Sequence, residues 1–135
     1  MSNLNRPYEI SVWDNILVDG AFVERRLGVI GSNEMMSQSR AINPQLGRNV
    51  NGVKTFQFGM YRYYTDNITG EKVENPFVGW LVSERKVKLK YAEKWYDFIV
   101  KDIAENSSTY LYTYKLEDAA VIELSKNGFG VILDE

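Results

Sequence analysis

Between Lys86 and Tyr91 every second residue is a lysine and every other one is apolar: Lys86, Lys88 and Lys90 alternate with Val87, Leu89 and Tyr91. A strand turns successive side chains to opposite faces, whereas a helix would scatter these lysines around its circumference. The run therefore reads as a strand with one face on a core and one in water. Ala92-Glu93-Lys94 turns the chain and Trp95–Val100 runs back, which predicts a β-hairpin. Period two recurs elsewhere. Tyr8, Ile10 and Val12 oppose Glu9 and Ser11, Asn15–Val18 closes on the turn dipeptide Asp19-Gly20, and Ala21–Ile30 follows as a second strand. Val53–Tyr64 is dense in aromatic and β-branched residues. Its return arm is predicted at Pro76–Val82, across a polar tip at Thr65–Lys72. Ser107–Lys115 is predicted as another strand, with Tyr110, Tyr112 and Tyr114 on one face.

Two stretches break this pattern. From Ser32 to Gly52, Met35, Met36, Ile42 and Leu46 are interleaved with Ser, Asn, Pro and Gly, the composition of a long ordered loop. Leu116, Ala119, Ala120, Glu123 and Leu124 recur at helical spacing, with Glu117 and Asp118 at the start and Lys126-Asn127-Gly128 at the close. A last strand is expected at Val131–Leu133. The fold class implied is α+β, mainly antiparallel β in barrel-like or sandwiched sheets, with one short helix in the C-terminal region, over residues 1–135 as a single domain.

The chain has 135 residues, 16 Lys plus Arg against 18 Asp plus Glu, and neither His nor Cys. A net charge of −2 carries no polyanion footprint, which argues against specific nucleic-acid binding. The missing residue types exclude thiol nucleophiles, imidazole acid–base catalysis, disulfides and zinc sites with nitrogen or sulfur ligands. No apolar run approaches the roughly 18 residues of a membrane span, and the opening lacks a signal-peptide stretch, so synthesis in the cytosol and no membrane partner are expected. No cofactor motif occurs.

Asp97 and Asp102 could be imagined as the pair of a small hydrolase, although solvated acids are far commoner. Asp66, Asn67, Thr69 and Glu71 offer oxygen ligands but miss the calcium-loop pattern. The lysines at 86, 88 and 90 could meet phosphate, yet such a stripe more often solubilises a sheet face. Tyr61, Tyr63, Tyr64 and Trp80 could form a platform for sugar rings. Cores and subunit interfaces use the same residue types, and that reading is preferred. Catalytic, metal and cofactor-binding residues are therefore expected to be none, and the interface candidates are Met35, Met36, Tyr61, Tyr63 and Trp80.

The order of several phrases resembles a known family. Tyr8-Glu9-Ile10-Ser11-Val12-Trp13-Asp14, Val29-Ile30-Gly31-Ser32, Arg40-Ala41-Ile42-Asn43-Pro44, Asn49–Gly52 with Phe56-Gln57-Phe58, Asn75-Pro76-Phe77, Glu84–Leu89, Trp95–Lys101 and Glu123–Phe129 look like the N-terminal hub domain of phage tail-associated, minor structural or baseplate hub proteins, as in siphophage tail tips. The resemblance implies a virion structural protein and not an enzyme. It implies a homotrimer that joins the tail tube to the host-adsorption apparatus, with distal tail protein and tape measure as neighbours and a lumen through which DNA passes. The implied location is the virion tail tip. Long relatives continue where this chain stops, so it is expected to be a short relative or a fragment, and receptor-binding or lytic activities are not carried over. The alternatives are another tail or neck adaptor of distal-tail type, or a carbohydrate-binding module using the surface aromatics.

Overall fold

The computed structural model describes residues 2–4, 6–31, 41–66 and 68–119. Along them run β1 (Ser2–Asn3), β2 (Tyr8–Val18), β3 (Ala21–Gly31), β4 (Ile42–Arg48), β5 (Lys54–Tyr61), β6 (Tyr63–Thr65), β7 (Lys72–Glu74), α1 (Pro76–Trp80), β8 (Lys86–Tyr91), β9 (Lys94–Asn106) and β10 (Leu111–Asp118). Seven long strands and the two-residue β1 form one sheet in the order β1-β4-β5-β10-β9-β8-β2-β3, and β6 and β7 pair separately. The ladders are antiparallel. The described residues are thus mostly antiparallel β, with one short helix, α1, among the elements. Among the described residues the sheet stays open, with β1 and β3 at its two edges.

The alternation of the sequence decides which face is buried. Val87 and Leu89 of β8 lie beside Ile10 and Val12 of β2, and with Phe98 and Val100 of β9, Tyr114 and Leu116 of β10 and Phe56, Phe58 and Met60 of β5 they form one core. Phe56 lies 5.5 Å from Phe98 and Phe58 5.5 Å from Tyr114, ring centre to ring centre. Those spacings fit the contact range of aromatic pairs. Tyr114 is fully buried and its hydroxyl finds no partner. Burial, and secondarily Tyr112, push that phenol far above its ordinary value, so Tyr114 serves packing.

Several expected elements are corrected. The stretch expected as the strand Pro76–Val82 begins with helix α1. Asn75 accepts the Phe77 N–H at 3.0 Å through Oδ1, and Pro76 occupies a position where its fixed φ fits and its missing N–H costs nothing. Asn75 also donates from Nδ2 to the Tyr61 carbonyl at 3.1 Å, tying the helix to β5. In the sheet β5 lies instead between β4 and β10.

The expected loop 32–52 contains strand β4. Its signal is hidden because Asn43 has φ 51° and Pro44 breaks the ladder between Ile42 and Gln45. The Val53–Tyr64 strand is interrupted at Arg62. Ser107–Tyr110 is a turn gathered by the Asn106 side chain, which accepts the N–H groups of Ser108 and Thr109. β10 therefore starts at Leu111 and keeps Leu116, Glu117 and Asp118, the expected first residues of a helix, in its ladder. Ala119 of that helix is described and is buried with Ile99, whereas its residues from 120 onward and the strand Val131–Leu133 lie outside the described residues.

Helix α1 packs on β3. A methyl group at Gly28 would stand 2.5 Å from the Trp80 ring and 3.0 Å from Phe77, so the helix seats only because residue 28 lacks a side chain. Gly28→Ala is expected to destabilise by roughly 1–3 kcal/mol, the cost of overpacking, seen as a lower urea midpoint with an unchanged slope. Ala92 and Glu93 hold φ of 53° and 62° in the β8–β9 turn. Asn-Gly in their place removes that strain and should raise stability by about 1 kcal/mol in the same titration.

Candidate interaction surface

Strand β8 is shorter than the hairpin it joins. It pairs with β2 only from Tyr8 to Trp13, while the β2–β3 ladder continues to Val18 opposite Ala21. Asp14–Val18 and Ala21–Arg25 therefore project as a two-stranded arm. Asp19 and Gly20, with φ of 51° and 83°, close it in a tight turn whose twist suits a hairpin. Leu17 faces Phe22 across one side, and Ile16 faces Val23 across the other. Leu17 is 65% and Phe22 76% exposed, and Val18 and Val23 are exposed as well. A strand with one face on a core would be polar on its second face, so an arm apolar on both sides has a surface to cover.

The root of the arm is held by charge. The Arg25 guanidinium meets both oxygens of Asp14, Nε at 3.1 Å and Nη2 at 2.7 Å, with Arg85 Nη1 3.9 Å away. Glu24 takes Lys86 Nζ at 2.7 Å on one oxygen and Lys88 Nζ at 2.8 Å on the other. Lys88 also stands 4.3 Å above the Trp13 ring, whose Nε1 donates to the buried Ser11 hydroxyl at 2.8 Å. Two of the three lysines read from the sequence as a solvated stripe are thus joined to one carboxylate. An open cleft of about 400 Å³ beside this network is lined by Trp13, Asp14, Glu24, Arg85, Lys86 and Ile99 among others. Asp14 and Glu24 on its wall are already paired with cations.

A second exposed surface lies across the sheet. Tyr63 and Tyr110 meet edge to face at 5.3 Å, and Lys72 Nζ stands 4.5 Å from the first ring and 5.3 Å from the second. Arg62 lies 5.4 Å from the Tyr63 ring and pairs with Glu74 at 3.1 Å. Tyr61 is exposed beside them, and the N–H of Arg62, next in the chain, donates to the Tyr110 carbonyl.

Of the residues expected at an interface, the structure brings Tyr61 and Tyr63 to this patch. Trp80 is half-buried instead, edge-on to Phe77 at 5.0 Å and over Gly28. Met35 and Met36 lie outside the described residues. Asp97 and Asp102 stand five residues apart on β9, roughly 16 Å at strand rise, beyond the reach of a two-carboxylate mechanism. Asp66 Oδ1 accepts the N–H groups of Ile68 and Thr69, and Thr69 Oγ1 that of Glu71, within their own turn, and Asn67 is outside the described residues. Among the described residues no three acidic side chains gather as metal ligands. Phe22, Leu17, Lys72 and Tyr110 were not anticipated. For Leu17 and Phe22 the signal was the apolar character of both parities around Asp19-Gly20; Lys72 and Tyr110 carried none.

Compared with known proteins, the chain matches no family model, no curated protein and no solved structure.

Asp14 and Glu24 both sit below the ordinary carboxylate range, Asp14 first through its hydrogen bonds from Arg25 and Glu24 first through Lys86 and then Lys88. Folding therefore favours their charged forms, and this stability is present above about pH 4 and lost as pH falls through the lowered folded values. Urea midpoints measured from pH 6 down to pH 3 should fall for the wild type. The fall should be shallower in Asp14→Asn and Glu24→Gln, whose midpoints are already lower at pH 6.

Proposed function

We propose that this chain is a virion structural protein, a hub component of a phage tail tip, which acts by binding copies of itself and neighbouring tail proteins. The observation that carries an assembly role is the arm: a hairpin that outruns its sheet and leaves Leu17, Val18, Phe22 and Val23 in water. An isolated subunit gains nothing from such a surface, whereas a subunit in a ring buries it. The phrases that resemble tail-hub proteins, from Tyr8–Asp14 to Trp95–Lys101, narrow the assembly to the tail tip and to three copies beneath the distal tail protein. In that setting the open edges at β1 and β3 are where neighbours complete a barrel-like wall around the lumen.

A carbohydrate module fits the geometry less well. Lys72 stands over the Tyr63 ring at 4.5 Å, on a face that a sugar would need, and Trp80 supports the helix. A neck or distal-tail adaptor shares the assembly logic and differs in copy number.

The test is the mass of the purified chain by sedimentation equilibrium at micromolar to millimolar concentration, with peptide mapping of purified phage particles. Three times the chain mass in solution and the chain's peptides in particles are expected. A larger closed ring would replace the hub by an adaptor. A monomer at every concentration, absent from particles, would overturn the reading.

A further inference from the structure

We infer that the tip of the arm docks on the tyrosine patch of a neighbouring copy, with Asp19 of one copy against Lys72 of the next. This rests on the assembly reading and names the two surfaces that meet. The arm exposes four large apolar side chains, on the order of 400 Å², within the roughly 300–600 Å² typical of the largest patch on a monomer. Tyr61 and Tyr110 are exposed on the other surface and add apolar area of the kind interface cores favour.

Charge gives the match its direction. From Asn15 to Val23 the arm carries a single charge, Asp19, at its turn. The patch offers Lys72, which lies over two rings and has no carboxylate within ion-pair distance among the described residues, whereas Arg62 beside it is engaged by Glu74. A buried opposite-charge contact sets register and excludes wrong partners.

Within one molecule the two surfaces stand apart: helix α1 joins Gly28 of β3 to Tyr61 of β5, and the turn of the arm lies eight residues further along the hairpin, roughly 26 Å at strand rise. Distinct surfaces on one chain that complement each other make a head-to-tail contact, which closes into a ring when the rotation allows. A two-fold pairing of β3 centred on Glu24 or Arg25 is disfavoured, because it sets Glu24 on Glu24 or Arg25 on Arg25. Lipid is disfavoured too, since among the described residues the outer edge of β3 and the edge of β2 beyond Trp13 have no ladder partner for backbone groups that hydrocarbon cannot satisfy.

The test is a charge exchange on the full chain, read as association by sedimentation equilibrium, with circular dichroism confirming the fold. Asp19→Lys and Lys72→Asp should each weaken association at least about tenfold, since each sets like charges in contact, and the double variant should recover most of the loss. Phe22→Ser should weaken it irrespective of charge. A wild-type oligomer whose mass neither single exchange alters would overturn this inference and leave the assembly reading standing. A monomeric wild type would overturn both. Wild-type chain that co-sediments with phosphatidylcholine vesicles but does not self-associate would assign the arm to a membrane and overturn the inference as well.

Discussion

The structure depends on one geometric constraint: a strand is covered only as far as its neighbour extends. Along Tyr8–Trp13 the inward side chains of β2 meet those of β8, and Ile10 and Val12 are sealed with Val87, Leu89, Phe98 and Phe56 into a single apolar core. β8 turns at Ala92-Glu93 on one side and meets β2 no further than Lys86 opposite Trp13 on the other, so β2 and β3 continue without support for a further turn-closed stretch. Folding of the sheet and exposure of the arm are thus two results of the same mismatch in strand length.

Holding that arm in one direction requires more than its own ladder, because a two-stranded ribbon alone is marginal in water. The root supplies the difference. Glu24 bridges two lysines of β8, and Asp14 gathers Arg25 and Arg85, so both strands of the hairpin are joined to the body of the sheet just where backbone pairing with β8 ends. A bulge at Leu27, which lies between residues paired with Val12 and Trp13, adds local twist at the same point. Helix α1, pressed into the space left at Gly28, backs β3 from the core side. An apolar tip on a braced stem suits binding, since little order remains to be imposed on contact.

Much of the sheet was legible because alternation is a local property. The pairs Val87/Leu89 with Lys86/Lys88 and Ile10/Val12 with Glu9 state their faces outright, and Asp19-Gly20 states its turn. The failures have physical causes. Phe77 and Trp80 carry strand-like bulk, but Asn75 and Pro76 ahead of them form a helix cap, and the cap prevailed. Asn43 and Pro44 disguised β4 as loop because an irregularity erases period two. Leu116 fitted helical spacing yet pairs with Phe56 and Val100, since the core had room for it in the sheet. The exposed arm was hidden for a different reason: whether the strand residues Leu17 and Phe22 are covered depends on the length of β8, and that length is a property of the fold as a whole.

The proposed role rests on the arm burying its apolar side chains against another subunit. Hydrogen–deuterium exchange of the backbone amides from Asn15 to Val23, compared between dilute monomer and the concentrated assembled protein, tests it most directly. These amides are expected to exchange freely when the chain is alone and to become strongly protected on assembly, while amides of Phe56, Phe58 and Phe98 in the core stay protected in both. Equal exchange of the arm in the two states would contradict that role.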